Sequence, residues 1–448
     1  MHNQLYMEVL RVSRRSATTA ATALLLLVAG CSGGADAEGS APSATGGFDW
    51  KRFSGQSISM LASQNPWQAA IEPLVPEFEA LTGMTVKVES LPEDQFRQRR
   101  QVALTGRADS FDVYMTQPVQ DGARFHQLGW YENLKPYLSN AALTAGDYDF
   151  ADYPDTLIEG ATFTGDIIGI PVMMDVEMFY YRKDILQKAG VAVPSTMEEL
   201  EKVAAAIDDP NGVRAYAARG KGAAAVTQMS TLLYNFGADW TNSSGMAAYA
   251  SPEGVKAFQF YGEMLSKYAP KGVTGSSWEE LLPQFAQGRI AMWHDSSSFV
   301  TTILDPKNST QEVRDNLGYE VMPSGPGGQY NATLPWAVAM NPHAKKKDAA
   351  WLFIQWATSK DVVTKVQASG VAGGRSSVPF PDSLPAEWVE VFKKDLAVAR
   401  PKLPAVIPVG EVRDVIGEAI VTCIDNSEKC ADKVVESAGK FDQIVKAS

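Results

Sequence analysis

Residues 57–89 read SISMLASQNPWQAAIEPLVPEFEALTGMTVKVE. Residues 57–62 form a short, mainly apolar run, which predicts a buried strand. The next segment, 67–81, has the apolar spacing of a helix, with one face made of Ile71, Leu74, Val75, Phe78 and Leu81. Gly83 supplies the helix stop, and residues 85–89 alternate like a second strand. The stretch therefore predicts a β-α-β unit.

The alternation of strands and helices continues along the chain. A helix is predicted at 94–104 and a buried strand at 111–115, an order typical of α/β layers around a mostly parallel sheet. Ligands bind at the carboxyl ends of strands in such sheets, so the tips after Ala62 and Met115 are the first candidates for a site. Further elements are predicted as helices at 197–207, 223–236, 252–268, 278–287 and 347–359, and as strands at 289–293 and 318–322.

The N-terminus carries an export signal. Three arginines (Arg11, Arg14 and Arg15) precede a short apolar segment that ends in small residues, the layout of a secretory signal peptide over residues 1–30. The ending Val28-Ala29-Gly30-Cys31 resembles the lipobox of bacterial lipoproteins, which implies cleavage before Cys31 and a lipid on its sulfur. An ordinary signal peptide with a chance cysteine is the alternative, and export by the general secretory or the twin-arginine route stays open.

A flexible tether is predicted to follow the signal. Residues 31–48 are mostly small or polar and show no periodicity. With a lipid on Cys31, this segment would hold a folded extracytoplasmic body to the bacterial cell membrane. No second segment approaches the unbroken apolar length of a membrane span, so we expect an anchored rather than a membrane-spanning protein.

Composition and cysteine content exclude several classes of function. The chain has 448 residues and a net charge of -12, and an acidic protein of this kind is a poor partner for nucleic acid. With Cys31 assigned to lipid, Cys423 and Cys430 remain, and a disulfide is the favoured interpretation in an exported chain. The four histidines show no ligand spacing with these cysteines, so we expect no metal site and no cofactor.

The sequence contains no catalytic signature. Within residues 31–448, the predicted mature chain, we find no Gly-x-Ser-x-Gly elbow, no His-Glu-x-x-His and no phosphate-binding Gly-x-x-x-x-Gly-Lys loop. Carboxylates are plentiful, so a glycosidase pair is not excluded by counting. The small number of histidines and the absence of a catalytic signature favour binding without catalysis.

Four segments in a fixed order point to a protein family. They are PEFEALTGMTV at 76–86, GIPV at 169–172 followed by YYRKDIL at 180–186, FAQGRIAM at 285–292, and KDAAWLFIQWATS at 347–359. Together these segments resemble the extracellular solute-binding proteins of ABC sugar importers, the broad group that includes maltose-binding protein. The resemblance covers nearly the whole mature chain.

The resemblance implies a two-lobed α/β fold of the periplasmic-binding-protein type (type II-like), with a ligand cleft between the lobes and three hinge crossings. Lobe 1 would hold residues 49–174 and 322–367, and lobe 2 would hold residues 175–321 and 368–448. Ligand would close the hinge, and the loaded monomer would dock on an ABC permease.

Sugars suit aromatic plates on their apolar faces and planar polar groups on their hydroxyls. Gln64 and Asn65 follow the first predicted strand, although Asn65 has helix capping as an alternative. Gln117 follows the strand 111–115, and Asp295 and Ser296 follow the strand 289–293. These positions predict hydrogen bonds to ligand hydroxyls.

The family pattern adds further positions. Asp175 falls where the maltose-binding relatives carry a sugar-bonding carboxylate, and Gln228 aligns with another of their cleft carboxylates. Trp336 is the predicted stacking plate, with core packing as the alternative, and Trp240 would also border the cleft or pack in the core of lobe 2. Arg375, in a loop at the third crossing, would fork onto hydroxyls or a phosphate, or form a salt bridge across the hinge.

The leading hypothesis is a lipid-anchored binding protein that delivers a carbohydrate or polyol to an ABC importer. A second version keeps the fold but binds a glycerophosphodiester or sugar phosphate through Arg375 or Lys221. A third hypothesis, of another class, is an exported glycan-cleaving enzyme with Asp175 and Asp295 as its carboxylate pair.

Overall fold

The structure is a computed structural model that describes residues 46–401 and 403–448. The predicted signal peptide 1–30, the lipidation site Cys31 and nearly all of the predicted tether 31–48 lie outside the described residues. Phe48, at the end of that tether, already packs edge-on against Trp50, with ring centroids 5.0 Å apart. Over the described ranges, none of the helices combines the length and the apolarity needed to cross a bilayer.

The first lobe is built on a five-stranded sheet. Its strands are β1 (Ser57–Ser63), β2 (Thr85–Leu91), β3 (Val113–Thr116), β6 (Ile170–Met173) and β12 (Trp336–Met340), in the order β2-β1-β3-β12-β6. β1 pairs in parallel with both β2 and β3, whereas β12 is antiparallel to β3 and to β6. The sheet is therefore mostly parallel, as predicted: β1, β2, β3 and β6 run in one direction, and β12 runs opposite to them because it enters from the cleft edge at which β3 and β6 end. A small hairpin, β4 (Thr162–Phe163) with β5 (Asp166–Ile167), precedes β6.

Helices cover this sheet and bury an apolar core. They are α1 (Pro66–Ile71), α2 (Val75–Thr82), α3 (Glu93–Thr105), α4 (Pro118–Gln127), α5 (Lys135–Leu138), α6 (Asp155–Gly160), α14 (Lys347–Ala357) and α15 (Lys360–Gln367). The helix predicted at 67–81 is broken into α1 and α2 by a short 3-10 turn, Glu72–Leu74. Pro73 and Pro76 account for the break, because each removes a backbone N–H that a continuous helix would use. Gly83 ends α2 in the left-handed conformation, with φ 70°.

The second lobe has its own four-stranded sheet. The strands are β7 (Glu177–Arg182), β8 (Arg214–Ala217), β9 (Ile290–Ser296) and β10 (Leu317–Glu320), in the order β10-β7-β9-β8. β7 is antiparallel to β9 and β10, and β8 is parallel to β9. Its helices are α7 (Lys183–Ala189), α8 (Met197–Ile207), α9 (Gly222–Asn235), α10 (Pro252–Tyr268), α11 (Trp278–Ala286), α12 (Val300–Leu304), α13 (Gln311–Asp315), α16 (Ala386–Ala397), α17 (Val409–Asp425) and α18 (Cys430–Ala447).

The chain crosses between the lobes later than the sequence predicts at two of the three crossings. The first crossing lies between β6 and β7. Met322 and Leu334 pack in the core of the second lobe, so the second crossing lies between β11 (Asn331–Thr333) and β12 rather than at 322. Val371 packs in the core of lobe 1 and Ala372 packs in a core cluster of lobe 2, so the third crossing also lies after 368. β13 (Ala399–Pro401) pairs in parallel with β11 on the lobe-2 side of the hinge.

The C-terminal helices complete lobe 2. α17 packs against α9 and α10, and α18 packs back on α17. Cys423, near the end of α17, is bonded to Cys430, the first residue of α18, with Cα atoms 4.4 Å apart. This arrangement brings the start of α17 to the cleft.

Candidate ligand site between the lobes

A cavity of about 560 Å³ lies between the two lobes. This volume falls within the usual range for small-molecule sites. The cavity lies at the carboxyl ends of β1, β3, β6 and β9, with the first residues of α3 and α9 on its walls. The structure brings five of the predicted site residues to it: Asn65, Gln117, Asp175, Ser296 and Trp336.

The lobe 1 wall begins with two amide side chains at strand tips. Asn65 caps α1, since its Oδ1 accepts the Gln68 backbone N–H at 2.9 Å. Its Nδ2 is buried and has no hydrogen-bond partner among the described residues. Gln117 is buried at the end of β3, and its Oε1 accepts from Arg97 Nη2 at 2.7 Å. Asn65 is thus both a helix cap and a free donor beside the cavity.

Glu93 and Arg97, one turn apart on α3, extend the lobe 1 wall. Arg97 donates through Nε to Glu93 Oε1 at 3.2 Å and through Nη2 to the same oxygen. Burial alone would raise the pKa of Glu93, but the charge and hydrogen bond of Arg97, with the charges of Arg219 and Arg413, lower it to about 2. Glu93 is therefore a carboxylate throughout the neutral and mildly acidic range.

A buried ion pair supports this wall from behind. Arg100 Nη1 lies 2.8 Å from Asp121 Oδ2, and both side chains are almost fully buried. Asp121 also accepts the backbone N–H of Gln117 at 3.2 Å, and Arg100 donates to the Met115 carbonyl at 3.0 Å. Burial would raise the pKa of Asp121, but the charge of Arg100 keeps it below its ordinary value. Neither member of the pair faces the cavity, so the pair fixes the end of β3 and the start of α4.

The lobe 2 wall is built on a second arginine–aspartate pair, which does face the cavity. Arg219, two residues after β8, lines the cavity and donates through Nε to Asp295 Oδ2 at 3.0 Å and through Nη2 to Oδ1. Asp295 is completely buried. Burial raises the pKa of Asp295 above its ordinary value against the opposing charge of Arg219, while Asp295 raises the pKa of Arg219 although burial alone would lower it.

A buried network extends inward from that pair. Gln228 Nε2 donates to both carboxylate oxygens of Glu177, at 2.9 and 3.0 Å, and to Asp295 Oδ1 at 3.3 Å. Beside it, the Ser296 hydroxyl donates to Asp175, and Asp175 lines the cavity. Asp295 therefore holds the guanidinium of Arg219 at the cavity surface, and neither Asp295 nor Gln228 reaches the cavity.

Aromatic side chains complete the walls. Trp336, the first residue of β12, borders the cavity and is 5% exposed, with its ring centroid 6.4 Å from that of Phe96. On the opposite lobe, Trp278 stacks on Phe299 with centroids 5.2 Å apart, and both border the cavity. The cavity therefore has an indole on each lobe.

Five predicted site residues do not line the cavity. Gln64 is exposed outside it, and Gln228 and Asp295 lie behind Arg219. Trp240 lies in the core of lobe 2, where its Nε1 donates to Ser230 Oγ at 2.9 Å. It is therefore a core residue and does not border the cleft. Asp175 and Asp295 do not present two carboxylates to the cavity, because Asp295 is sealed behind a guanidinium.

Arg375 also lies away from the cavity. Its guanidinium donates to the carbonyls of Thr358, Tyr148 and Asp149 at 2.7, 2.8 and 2.9 Å. It stacks over the rings of Tyr148 and Tyr153. All these partners belong to lobe 1, so Arg375 ties the segment before the third crossing to that lobe and neither meets a ligand nor bridges the hinge.

Several cavity residues were missed by sequence reasoning. They are Glu93, Arg97, Gln120, Arg219, Trp278 and Arg413. Glu93 and Arg219 each come two residues after the end of a strand, so the strand-tip rule would have found them. Arg413 is on α17, far along the chain, and no local pattern marks it.

The two lobes touch around the cavity. Lys221 Nζ lies 3.2 Å from Asp94 Oδ2, and Arg124 pairs with Glu411. Arg413 of lobe 2 donates to Gln120 Oε1 of lobe 1 and to the Ala223 carbonyl at 2.8 Å. These contacts join the two lobes across the cleft.

Comparison with known proteins agrees with this architecture. Residues 62–364 match the family described as bacterial extracellular solute-binding protein. The chain is 30% identical to an erythritol/L-threitol-binding protein of Mycolicibacterium smegmatis, over 83% of this chain and 81% of that one. It is 28% identical to a mannitol-binding protein of Pseudomonas aeruginosa, over 74% and 76% of the two chains.

A solved structure gives the same fold. The ABC transporter solute-binding protein from Agrobacterium radiobacter K84, in complex with ribitol, superposes with a TM-score of 0.79 at 24% identity, covering 87% of this chain and 99% of that one. The two-lobed architecture, the family match over most of the chain and the 30% identical relative lead to one conclusion. The chain belongs to the bacterial extracellular solute-binding protein family.

Proposed function

We propose that this protein captures a small uncharged polyol or sugar between its lobes and delivers it to an ABC permease. The observation that carries the proposal is the cavity itself. Arg97, Arg219, Asp175, Gln117 and Trp336 converge on about 560 Å³ of space from both lobes. Guanidinium, carboxylate and amide groups suit vicinal hydroxyls, because each offers two planar hydrogen-bonding atoms.

A polyol satisfies a donor that is otherwise unpaired. The buried Nδ2 of Asn65 has no hydrogen-bond partner among the described residues, and a buried donor left unpaired costs free energy. A ligand hydroxyl is an acceptor of the right kind. Trp336 and Trp278 offer apolar surface to the C–H faces of the same ligand.

Capture would work by lobe closure. Arg413 and Gln120, with Lys221 and Asp94, join the lobes around the cavity, and a ligand that contacts both walls would favour that closed population. A permease would then distinguish the loaded from the empty form. We propose that the protein acts as a monomer and has no enzymatic activity of its own.

A lipid anchor would keep the protein beside its permease. The lipobox-like ending at Cys31 and the following tether support a lipid-anchored extracytoplasmic protein. An oxidising location also fits the Cys423–Cys430 bond. Metabolic labelling with a tagged fatty acid tests the anchor: wild-type protein should carry label in the membrane fraction, and Cys31→Ala should carry none.

The ligand class is tested by titration calorimetry of the full chain against erythritol, ribitol, mannitol, maltose and glycerol 3-phosphate. Saturable one-to-one binding to at least one neutral polyol or sugar is expected. Binding to glycerol 3-phosphate alone would favour the phosphate-ligand version, in which Lys221 is the remaining predicted contact, since it lines the cavity beside Asp94 whereas Arg375 is bonded within lobe 1. Release of shortened glycans during incubation with oligosaccharides would contradict the absence of catalysis.

A further inference from the structure

Charges of both signs line the inner part of the cavity. Three guanidinium groups, those of Arg97, Arg219 and Arg413, line it and are mostly buried. The carboxylates of Glu93 and Asp175 line the same cavity, and that of Asp295 lies directly behind Arg219. The outer part of the lining is exposed and leans to the acidic side, with Asp94, Glu279, Glu411 and Asp414 against Arg124 and Lys221.

The three inner carboxylates are not equivalent. Asp295 is committed to Arg219 through two oxygens, and Asp175 accepts the hydroxyl of Ser296. Both belong to the lobe 2 side of the cleft. Glu93 is the inner carboxylate contributed by lobe 1, at the first turn of α3, and Arg97 is its hydrogen-bond partner.

Arg413 has no carboxylate in direct contact, and Glu93 and Asp121 are the negative charges that compensate it at longer range. Among the described residues it forms no ion pair, and it donates to the uncharged oxygens of Gln120 and Ala223. Burial and the positive charge of Arg97 lower the pKa of Arg413 to about 10, and the negative charge of Glu93 opposes this. The low pKa of Glu93 has its origin in the same set of arginines. The negative charge of Glu93 thus acts on arginines from both lobes.

We propose that Glu93 determines the charge selectivity of the cleft, so that the site accepts uncharged polyols and rejects the carboxylates derived from them. With Glu93 present, an anionic ligand would lie beside a carboxylate that already occupies Arg97 and would be repelled by it. With Glu93 neutralised, Arg97 loses the carboxylate to which it is bonded, and a ligand carboxylate takes that place with charge-assisted hydrogen bonds. This inference rests on the proposed function, since it names the ligand class of the same cavity.

The test compares Glu93→Gln with wild type, using ribitol and mannitol as neutral probes and ribonate and mannonate as their carboxylate counterparts. Gln retains an oxygen that accepts from Arg97, so the variant should fold, which a melting curve checks. A charge-matched control is Glu77→Gln, because Glu77 lies on α2 outside the cavity and pairs with Lys365 on the surface.

We expect wild type and Glu77→Gln to bind a neutral probe and neither carboxylate. Glu93→Gln should bind a carboxylate probe at least about tenfold more tightly than wild type does. Salt should reduce that gain only in part, because buried charges are screened much less than exposed ones.

The outcomes separate this inference from the proposed function. If a neutral probe binds wild type but Glu93→Gln gains no affinity for carboxylates, or gains no more than Glu77→Gln, the inference is overturned and the proposed function stands. Wild-type protein that binds ribonate as tightly as ribitol would also overturn it. If no neutral probe binds wild type and Glu93→Gln still gains a carboxylate, the charge selection stands and the polyol ligand is wrong.

Discussion

Each lobe contains a buried arginine–aspartate pair beside the cleft, but the two pairs face different ways. In lobe 2, Arg219 presents its guanidinium to the cavity while Asp295 is sealed behind it. In lobe 1, Arg100 and Asp121 are both sealed, at 2% and 6% exposure of their side chains, and only the amides that they position reach the cavity. One buried ion pair therefore presents a charged group to the cavity, and the other holds the wall of the cavity in place.

This difference has an energetic consequence. Breaking either pair leaves a buried charge without compensation, so both should be costly to the stability of the fold. Only the lobe 2 pair should be needed for ligand contact. Stability and affinity therefore separate the two pairs, and the following variants are ordered by their expected effect on affinity.

Asp295→Ala should have the largest effect. Arg219 would remain buried without its carboxylate, so the free energy of unfolding should fall by about 3–5 kcal/mol and polyol binding should be lost. Chemical denaturation and calorimetry measure the two quantities. The double variant Arg219→Met with Asp295→Leu removes both charges and should recover much of the stability while still failing to bind. Recovery of binding in the double variant would show that Arg219 does not contact the ligand.

Trp336→Leu should come next. The loss of an indole at the cavity wall should weaken polyol binding by about tenfold to a hundredfold, or roughly 1.4–2.8 kcal/mol. Trp356→Leu is a matched control, because Trp356 has the same 5% exposure in the lobe 1 core and does not line the cavity. Calorimetry should show weakened binding for the first variant alone. Equal losses of affinity in both would mean that Trp336 acts only through packing.

Asp121→Ala should lower the free energy of unfolding by about 3–5 kcal/mol, as Asp295→Ala does. Its effect on affinity should be much smaller, less than about tenfold, because Gln117 and Gln120 lose one positioning contact each and no cavity charge changes. Binding is measured below the melting temperature of the variant. Complete loss of binding in a folded Arg100→Met, Asp121→Leu double variant would contradict the contrast between the two pairs.

Asp94→Asn should have the smallest effect. Asp94 is 74% exposed, and its pairing with Lys221 across the cleft is a surface ion pair. Such pairs contribute about 0–1 kcal/mol, so the dissociation constant should change by less than about fivefold. Repeating the titration in high salt should remove the difference between variant and wild type. A salt-insensitive loss would show that Asp94 contacts the ligand rather than the opposite lobe.

Much of the fold was predictable from local pattern. The strands at 57–62 and 85–89 and the helix at 252–268 appear in the structure with small shifts or none at their ends. Asn65 and Gln117 reach the cavity because strand tips in an α/β sheet share one edge, a consequence of topology that the pattern already contains. The strand-tip rule therefore finds the edge of the sheet at which the cavity lies, but not which side chains line it, since Gln64 and Asp295 follow the same rule and do not.

The rest depended on packing between distant segments. Trp240 and Trp336 look alike in sequence, yet Trp240 packs wholly within the core of lobe 2, whereas Trp336 belongs to the core of lobe 1 and also borders the cleft. Arg375 resembled a ligand-binding arginine, but three carbonyls of lobe 1 already occupy its guanidinium. Arg413 reaches the cavity only because α17 folds back against α9. None of these relationships has a short-range signature.

The most direct measurement is calorimetric titration of wild-type protein and of the Arg219→Met, Asp295→Leu double variant with erythritol, ribitol and mannitol. If the cavity binds an uncharged polyol through Arg219, at least one of these ligands should show saturable one-to-one binding to wild type. The folded double variant should bind none of them. Absence of binding to wild type, or equal binding to both proteins, would contradict that claim.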